Sequence, residues 1–222
     1  LPSMADAITH RGPDEEGFYN APGVALASRR LSIVGLADGQ QPIFNEDKSV
    51  VVVLNGELFD FVEQRAALES KGHRFSTHAD TEILVHLWEE YGEAMVDHLD
   101  GQFAFALYDI RQRTVMLARD RIGIAPLHWA RRGDMLYFGS EIKAIFASGE
   151  VTPEADPKGI DHIFTFFAMG TRRTAFKDVQ AVHPASYLKI QLRNDGAIAE
   201  VKERRYWDLD FPDAGQEREP ED

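Results

Sequence analysis

Polar residues at three separate places in the first 80 positions could together hold an amino acid. The first is Arg30, which follows Arg29 in a segment of β-like apolar content. Neighbouring residues of a strand point to opposite faces, so at least one of the two guanidinium groups must lie toward a covered face. Because an unpaired guanidinium is costly there, the sequence predicts a carboxylate partner. That partner is either an acidic residue of the protein, in a structural ion pair, or the carboxylate of a ligand.

The second place is the pair Asn55-Gly56, directly after the apolar run Val50 to Leu54. A glycine lets its backbone N–H approach a ligand closely, and the asparagine amide is a second donor beside it. Two donors aimed at one point form an oxyanion hole, which stabilises the tetrahedral intermediate of acyl transfer. The alternative is an ordinary Asn-Gly turn at the end of a strand.

The third place is Asp80, ahead of a long amphipathic segment. Its carboxylate can cap a helix, which stabilises the helix by about 1 kcal/mol, or it can accept the ammonium group of a ligand. Together the three places form an amino-acid clamp that lacks a nucleophile, because the 222 residues contain no cysteine. The same absence excludes disulfides and thiolate metal sites within this sequence, and we predict no metal ligands.

A fourth polar motif, His10-Arg11-Gly12-Pro13-Asp14, precedes these positions. Gly-Pro-Asp is typical of a simple turn. The alternative is a turn that supports a functional site through a charge-assisted pair between Arg11 and Asp14.

The composition limits the classes of partner. The net charge is −13, from 24 Lys and Arg against 37 Asp and Glu. Because this charge repels phosphate groups, we expect neither nucleic acid nor a membrane surface as a partner. Apolar residues make up 44% of the chain, which is enough for a core, and no apolar run approaches the ~20 residues that span a bilayer. The first residues show no signal-peptide pattern, so we expect a cytoplasmic protein.

The elements that position these residues are predicted to be short strands and helices. Apolar patterns predict strands over 24–34, 50–54, 101–109, 114–118, 127–130, 135–138, 186–192 and 197–201. They predict helices over 60–71, 80–99, 140–147 and 156–167, the last opening on an Asp156 N-cap and Pro157. Hairpins dominate, so the pattern indicates an α+β fold in which two antiparallel sheets pack face to face under helices.

Six segments resemble, in order and spacing, the glutaminase domain of asparagine synthetase, a class II glutamine amidotransferase. They are HRGPD, RLSIV, NGE, the aspartate ahead of the long helix, RDRIGIAPL and GSEIKA. The resemblance covers roughly residues 3–210. It implies the N-terminal-nucleophile hydrolase fold, a four-layer αββα sandwich of two antiparallel sheets, here lacking its first strand.

The resemblance also implies roles for individual residues. Arg30 matches the arginine that binds the glutamine α-carboxylate, and Asp80 matches the residue that binds the α-ammonium group. Asn55 and Gly56 match the oxyanion-hole pair. Further positions that the resemblance places at the glutamine pocket are Leu31, Ser32, Ile33, Val34 and Glu57.

In this family the nucleophile is an N-terminal cysteine whose own α-amine serves as the base. The resemblance implies that residues 1–210 form a glutaminase domain that begins after the cysteine strand, and we expect it to be inactive alone. Residues 211–222 are expected to be an acidic linker or tail toward a synthetase domain. No cofactor is expected in the glutaminase domain itself. The family's synthetase domain uses ATP and Mg to amidate aspartate or a related carboxylate.

Two hypotheses about function follow. In the first, the chain is the glutamine-hydrolysing domain of an asparagine synthetase-like enzyme. Its partners are then glutamine, the C-terminal synthetase domain of the same polypeptide and, as a further option, a second copy in a homodimer. In the second, it is a non-catalytic glutamine-sensing or scaffold domain that has lost its nucleophile. The retained clamp argues against a pure scaffold. The segment 163–184 carries no motif that assigns it a role.

Overall fold

Short antiparallel strands joined by tight turns form most of the regular structure of the chain. The structure, a computed structural model, describes residues 1–33, 35, 37–168 and 172–211. The strands are β1 (Glu15–Ala21), β2 (Val24–Arg30), β3 (Ile43–Phe44), β4 (Val50–Leu58), β5 (Gly101–Asp109), β6 (Thr114–Arg119), β7 (His128–Arg132), β8 (Met135–Gly139), β9 (Val179–Ala181), β10 (Ser186–Leu192) and β11 (Ile198–Arg205). The α-helices are α1 (Pro2–Asp6), α2 (Phe61–Ser70), α3 (Ile83–Tyr91), α4 (Ile142–Phe146) and α5 (Pro157–Phe166). Short 3₁₀ helices cover Thr9–Arg11, Asp80–Glu82 and Gly92–His98.

A six-stranded antiparallel sheet with the order β11-β10-β6-β5-β4-β3 lies at the centre of the protein. Its strand β4 carries the predicted valine run. Val52 packs with the helices on one face of this sheet, and Val51 packs with the smaller sheets on the other. Because both faces are covered, every position of the run must be apolar, which confirms the predicted strand buried on both sides.

Two smaller antiparallel sheets cover one face of the six-stranded sheet. In the first, β1 pairs with β2, and in the second, β7 lies between β8 and β9. Leu26 of β2 and Leu127, just before β7, belong to the same core cluster as Val53 of β4. The opposite face of the six-stranded sheet is covered by α2 and α3 through Leu68, Ile83, Leu84 and Leu87.

Helix α4 lies on the outer side of the three-stranded sheet, where Ile145 packs with Ala130 of β7 and Val179 of β9. Helix α1 contacts α4 and β2. The layers are therefore helices, six-stranded sheet, smaller sheets and helices. This arrangement confirms the predicted α+β sandwich of antiparallel sheets between helices. It differs in one respect, because the second β layer consists of two separate sheets, β1-β2 and β8-β7-β9.

Three predicted boundaries are wrong for identifiable reasons. The strand predicted over 24–34 ends at Arg30, because its partner strand β1 begins at Glu15, the register partner of Arg30. Strand β4 does not end at Asn55, because Asn55, Gly56 and Glu57 continue the strand by pairing with residues 102–104 of β5. The helix predicted over 80–99 is divided at Gly92, whose φ of +56° ends α3. With ψ of −131° this backbone conformation does not continue a helix, and glycine adopts the positive φ without the steric cost of a Cβ.

Among the residues that the structure describes, no helix has the length and apolar content needed to cross a membrane. The predicted tail, apart from Phe211, lies outside the described residues. So do positions 169–171 of the segment to which the sequence assigned no role.

Candidate binding pocket

A cavity of about 580 Å³ lies between the two smaller sheets and the face of the six-stranded sheet that they cover. The predicted site residues that line it are Arg30, Leu31, Ile33, Asn55, Gly56, Glu57 and Asp80. They come from β2 and the segment after it, from β4, and from the 3₁₀ turn at Asp80–Glu82. The structure thus brings together the three places that the sequence proposed as a clamp. Ser32 is not among the lining residues, and Val34 lies outside the described residues.

Arg30 lies on the buried face of β2 and is 8% exposed. Its Nη1 donates to Oε2 of Glu15, its register partner on β1, at 2.7 Å, and its Nη2 donates to the carbonyl of Gly35 at 2.9 Å. The prediction that a buried guanidinium needs a carboxylate is confirmed, and Glu15 supplies it. We did not identify Glu15 from the sequence. This pair holds the arginine at the wall of the cavity, where a ligand carboxylate can also approach it.

Arg29 points to the other face of the same strand, as the alternation of side chains requires. It pairs with Asp6 of α1 at 2.5 Å and with Glu16 of β1 at 2.8 Å. Arg29 thus makes structural ion pairs, and they join α1 to the β1-β2 sheet.

Asn55 carries a donor without a partner. Its Nδ2 is buried and makes no hydrogen bond within the described part of the chain, and the residue lines the cavity. Leaving a buried polar group unsatisfied costs about 1–3 kcal/mol. A native protein retains such a group where a ligand or water satisfies it. This amide is therefore the clearest place in the cavity for a ligand oxygen.

Gly56 is required by the neighbouring strand. Its φ is +137°, and a Cβ at this position would lie 1.9 Å from the carbonyl oxygen of Gln102 in β5. No side chain fits there, so β4 and β5 can approach each other only with glycine at this position. The sequence predicts glycine here for the close approach of a ligand, and the strand contact is a second reason.

Asp80 is 6% exposed and belongs to the 3₁₀ turn itself, whose N-cap is Ala79. Its Oδ2 accepts the backbone N–H of Leu58 at 2.9 Å. Its Oδ1 accepts the N–H and the hydroxyl of Thr81 at 2.7 and 3.3 Å. The alternative of a helix N-cap is thus wrong, because this carboxylate joins the end of β4 to the turn. Since two carboxylate oxygens offer about four acceptor positions, Asp80 can still accept an ammonium group in the cavity.

The segment after β2 forms a partly exposed rim of the cavity. Leu31 is 55% exposed and Ile33 is 67% exposed, while the backbone N–H of Ser32 between them donates to Oδ2 of Asp14 at 2.9 Å. Asp14 therefore anchors this rim. The charge-assisted pair between Asp14 and Arg11 is not formed, because Arg11 bonds Glu141 at 3.4 Å instead.

Gln41 connects the three parts of the pocket, and we did not identify it from the sequence. It lines the cavity and is 8% exposed. Its Oε1 accepts the N–H of Leu54 at 2.8 Å and the hydroxyl of Ser28 at 3.2 Å. Its Nε2 donates to the hydroxyl of Thr81 at 3.4 Å.

Each partner of Gln41 lies close in sequence to a clamp residue. Ser28 is on the same face of β2 as Arg30, Leu54 precedes Asn55, and Thr81 follows Asp80. The pairing of β3 reaches only to Val52 of β4, so the Gln41 side chain supplies an acceptor to the strand just beyond it. One buried amide thus fixes the relative positions of three functional groups.

The groups around the cavity suit a ligand with a carboxylate and an ammonium group at one end and an amide or acyl group at the other. Arg30 can hold an anion, Asp80 can hold a cation, and Asn55 can donate to a carbonyl oxygen. A donor fixed at a carbonyl oxygen also stabilises the negative charge that forms there during nucleophilic attack.

Comparisons with known proteins agree with this chemistry. The sequence profile of a family described as "Glutamine amidotransferase domain" matches residues 1–207. Asparagine synthetase [glutamine-hydrolyzing] 2 of Bacillus subtilis is 39% identical over 214 residues, which cover 94% of this chain and 28% of that protein. Asparagine synthetase [glutamine-hydrolyzing] 2 of Oryza sativa is 49% identical over 144 residues, 64% of this chain and 24% of that protein.

Among solved structures, the glutamine phosphoribosylpyrophosphate amidotransferase of B. subtilis superposes with a TM-score of 0.63. The match covers 92% of this chain and 46% of that one at 19% sequence identity, so it shows a shared fold. The chain spans about a quarter to a third of the length of the curated relatives that it matches.

Proposed function

Because this chain belongs to the glutamine amidotransferase domain family, we propose that its cavity binds glutamine for hydrolysis of the side-chain amide. The observation that supports this most is that Nδ2 of Asn55, which has no partner in the part of the chain that the structure describes, lies on the same cavity as Arg30 and Asp80. In the proposed complex, Arg30 binds the α-carboxylate and Asp80 binds the α-ammonium group. Asn55 and the backbone of Gly56 then face the carbonyl oxygen of the side-chain amide.

Glu57 gives this pocket a means to select the amide over the acid. It follows the oxyanion pair in β4 and lines the same cavity. Its carboxylate can accept a hydrogen bond from the amide NH₂ of glutamine, whereas it repels the side-chain carboxylate of glutamate. The same repulsion favours release of glutamate once the amide has been hydrolysed.

Hydrolysis needs a nucleophile, and the sequence contains no cysteine. We propose that a cysteine thiolate outside this sequence attacks the amide carbon, and that Asn55 and Gly56 stabilise the resulting oxyanion. The C–N bond then breaks and the nitrogen leaves as ammonia after gaining a proton. Water hydrolyses the γ-glutamyl thioester to glutamate and restores the thiol. This chain by itself should therefore release no ammonia.

The position of the cavity suits such an addition. Both β2 and β8 line it, and each is an edge strand with one side unpaired among the described strands. A further antiparallel strand can pair there and bring a side chain into the cavity near Asn55. The two smaller sheets would then become one continuous sheet, as in the predicted αββα sandwich.

The names of the relatives support a wider proposal for the natural protein. Both curated relatives described above are glutamine-hydrolysing asparagine synthetases. We propose that ammonia from this domain passes to a fused synthetase domain, which uses ATP and Mg to amidate aspartate or a related carboxylate. A cytoplasmic location and a homodimer stay predictions.

Kinetics of the natural full-length protein that carries this sequence test the proposal. Arg30→Lys keeps the charge but loses the paired donors of the guanidinium, so kcat/KM for ammonia release from L-glutamine should fall roughly 10- to 100-fold. Asn55→Ala should lower kcat by roughly 10²- to 10³-fold, because the oxyanion loses a donor. Arg131→Lys and Asn20→Ala are the matched controls, because they repeat the two substitutions at exposed strand positions. They should change kcat and kcat/KM by no more than twofold.

Other results would reject the proposal in distinguishable ways. Calorimetric binding of glutamine without ammonia release would identify a sensing domain, and the absence of both would identify a scaffold. Full activity in Asn55→Ala would show that another donor stabilises the oxyanion.

A further inference from the structure

Two histidines and two glutamates converge at a second site, formed by three separate segments. Glu46 lies in the turn between β3 and β4, His73 follows α2, and His86 and Glu89 lie one turn apart on α3. One ligand atom from each of the four residues lies within 4.8 Å of all the others. None of the four lines the cavity described above. We propose that these residues bind one divalent transition-metal ion, for which Zn²⁺ is the best match.

The distances between nitrogen and oxygen atoms are close to those of a coordination shell. His86 Nδ1 lies 3.2 Å from Glu89 Oε2 and 3.6 Å from Glu46 Oε2. His73 Nδ1 lies 3.6 Å from Glu89 Oε2 and 3.9 Å from Glu46 Oε1. Ligands at about 2.0–2.1 Å from a tetrahedral Zn²⁺ are about 3.3–3.4 Å apart. Because the four ligand atoms lie within 4.8 Å of one another, side-chain shifts of about an ångström would close the shell.

Both imidazole rings have the orientation of metal ligands. Each directs Nδ1 toward the two glutamates of the cluster and Nε2 toward a further carboxylate. His73 Nε2 lies 3.1 Å from Glu90. His86 Nε2 lies 3.9 Å from Glu82 and has no hydrogen-bond partner among the residues that the structure describes. Metal-binding histidines usually bond a carboxylate through their second ring nitrogen, which fixes the tautomer and the ring plane. The contact of His73 with Glu90 has this form, whereas Glu82 lies beside the second nitrogen of His86 but beyond hydrogen-bond distance.

The two glutamates are also held by donors that leave oxygens facing the histidines. Asn45 Nδ2 donates to Oε1 of Glu89 at 2.8 Å, while Oε2 of Glu89 faces both imidazoles. The backbone N–H of Arg74 donates to Oε1 of Glu46 at 2.8 Å. A metal ion would therefore meet side chains that are already ordered, which lowers the entropic cost of binding.

Charge and burial favour an ion at this place. Four carboxylates surround two imidazoles, since Glu82 and Glu90 lie beside Glu46 and Glu89. The His86 side chain is fully buried and that of His73 is 13% exposed, whereas those of Glu46 and Glu89 are 35% and 27% exposed. An ion can thus enter past the glutamates and reach the buried nitrogens, and two positive charges offset the excess of negative charge.

The kind of ligand selects the kind of metal. Imidazole nitrogens suit Zn²⁺ and its first-row neighbours, whereas Mg²⁺ and Ca²⁺ prefer all-oxygen shells. A set of two nitrogens and two carboxylates is a four-ligand shell that Zn²⁺ accepts without a geometric preference of its own. The four ligands would join the β3-β4 turn, the segment after α2, and α3. We therefore assign the ion a structural role, in departure from the sequence prediction of no metal ligands.

The competing interpretation is a metal-free ion-pair cluster around a protonated His86. Burial lowers the pKa of His86, but the surrounding carboxylates of Glu82, Glu89 and Glu46 outweigh burial and raise it to about 9. A protonated imidazole and Zn²⁺ compete for the same carboxylates, so only a measurement with the metal separates the two interpretations.

Elemental analysis and Co²⁺ absorption test the proposal on the natural full-length protein. After dialysis against excess Zn²⁺ and then against buffer, the natural protein should retain one more equivalent of Zn²⁺ per chain than the Glu46→Gln and His73→Gln variants. Co²⁺ in place of Zn²⁺ should give the visible d–d bands of a tetrahedral site. A hundredfold excess of Zn²⁺ over its Kd should raise the melting midpoint by roughly 5–10 °C, and Mg²⁺ should not.

Matched controls separate this site from other Zn²⁺ binding and from misfolding. Glu63→Gln and His98→Gln repeat the two substitutions outside the cluster and should retain the full equivalent. Glu46→Gln alters a partly exposed carboxylate, and unchanged circular dichroism would show that it folds. Equal Zn²⁺ content in the natural protein and in Glu46→Gln and His73→Gln, or no retained Zn²⁺, would overturn the proposal and leave an ion-pair cluster.

Discussion

Replacing Gln41 should loosen all three parts of the glutamine pocket at once. Gln41→Met keeps nearly the same volume but removes the acceptor from the N–H of Leu54 and the hydroxyl of Ser28, and the donor from Thr81. The backbone N–H of Leu54 has no other side-chain acceptor in the described structure. Because Leu54 is only 8% exposed, water replaces this acceptor poorly.

The magnitude follows from these contacts. Leaving one buried N–H unsatisfied costs about 1–3 kcal/mol, and losing two weaker hydrogen bonds adds about 1 kcal/mol. A total of about 2–4 kcal/mol corresponds to a fall in the melting midpoint of roughly 5–15 °C for a chain of this size. Small displacements of catalytic groups also cost as much as 10²-fold in rate, so kcat/KM for glutamine should fall at least tenfold.

Thermal unfolding and glutaminase kinetics of the full-length protein measure both effects. Gln40→Ala is the matched control, because Gln40 is exposed and makes one long hydrogen bond, 3.3 Å, to the carbonyl of Glu16. It should stay within about 0.5 kcal/mol of the natural protein. If Gln41→Met melted at the natural temperature and hydrolysed glutamine at the natural rate, Gln41 would not position the pocket.

Three further substitutions test separate contacts. Gly56→Ala should lower the free energy of unfolding in urea by about 2–5 kcal/mol, because the added methyl group meets the backbone of β5 in a strained conformation. A decrease of under about 1 kcal/mol would show that β4 and β5 separate easily. Glu15→Gln should cost about 1–3 kcal/mol, because the buried guanidinium of Arg30 loses its charged partner, and an unchanged urea midpoint would mean that this pair is not formed in solution. The hydrogen bond from Lys189 lowers the pKa of Glu93 in the folded state below its ordinary value of 4.5. The pair therefore stabilises the folded state fully above pH 4.5, and this stabilisation is lost as the pH falls through the lowered pKa. Glu93→Gln should therefore lower the melting midpoint at pH 7 and reduce its decline below pH 4.5, whereas parallel pH profiles would count against the pair.

The elements whose decisive interactions are local or periodic can be predicted from the sequence. The Val50 to Leu54 run specifies a strand because both of its faces are covered. Asp156 followed by Pro157 specifies the start of α5, and the Asp156 side chain accepts the N–H of Lys158 as an N-cap does. The alternation of side chains in a strand predicts that at least one of Arg29 and Arg30 faces a covered face, and in β2 this is Arg30.

Contacts between residues that are distant in sequence could not be predicted in this way. Asn55-Gly56-Glu57 is typical of a turn, yet pairing with β5 keeps these residues in a strand. Nothing in the local pattern indicates that Glu15 neutralises Arg30, or that Gln41 connects Ser28, Leu54 and Thr81. The division of the second β layer into two sheets likewise depends on strand pairing, which residue patterns do not specify.

The same limit applies to the cluster of Glu46, His73, His86 and Glu89. Only His86 and Glu89 share a helix, and the other two ligands come from separate turns. Their convergence depends on how α2 and α3 pack on the six-stranded sheet. Metal-binding motifs with fixed spacing leave a trace in sequence, whereas a site assembled from three segments leaves none.

A crystal structure of the full-length protein with L-glutamine, cooled before hydrolysis, tests the central claim most directly. The α-carboxylate should lie within about 3 Å of the Arg30 guanidinium, and the α-ammonium group should lie at a similar distance from Asp80. The side-chain carbonyl oxygen should accept a hydrogen bond from Nδ2 of Asn55, the donor that has no partner among the described residues. Glutamine bound elsewhere, or bound in the cavity with Nδ2 of Asn55 still unpaired, would contradict the proposed function.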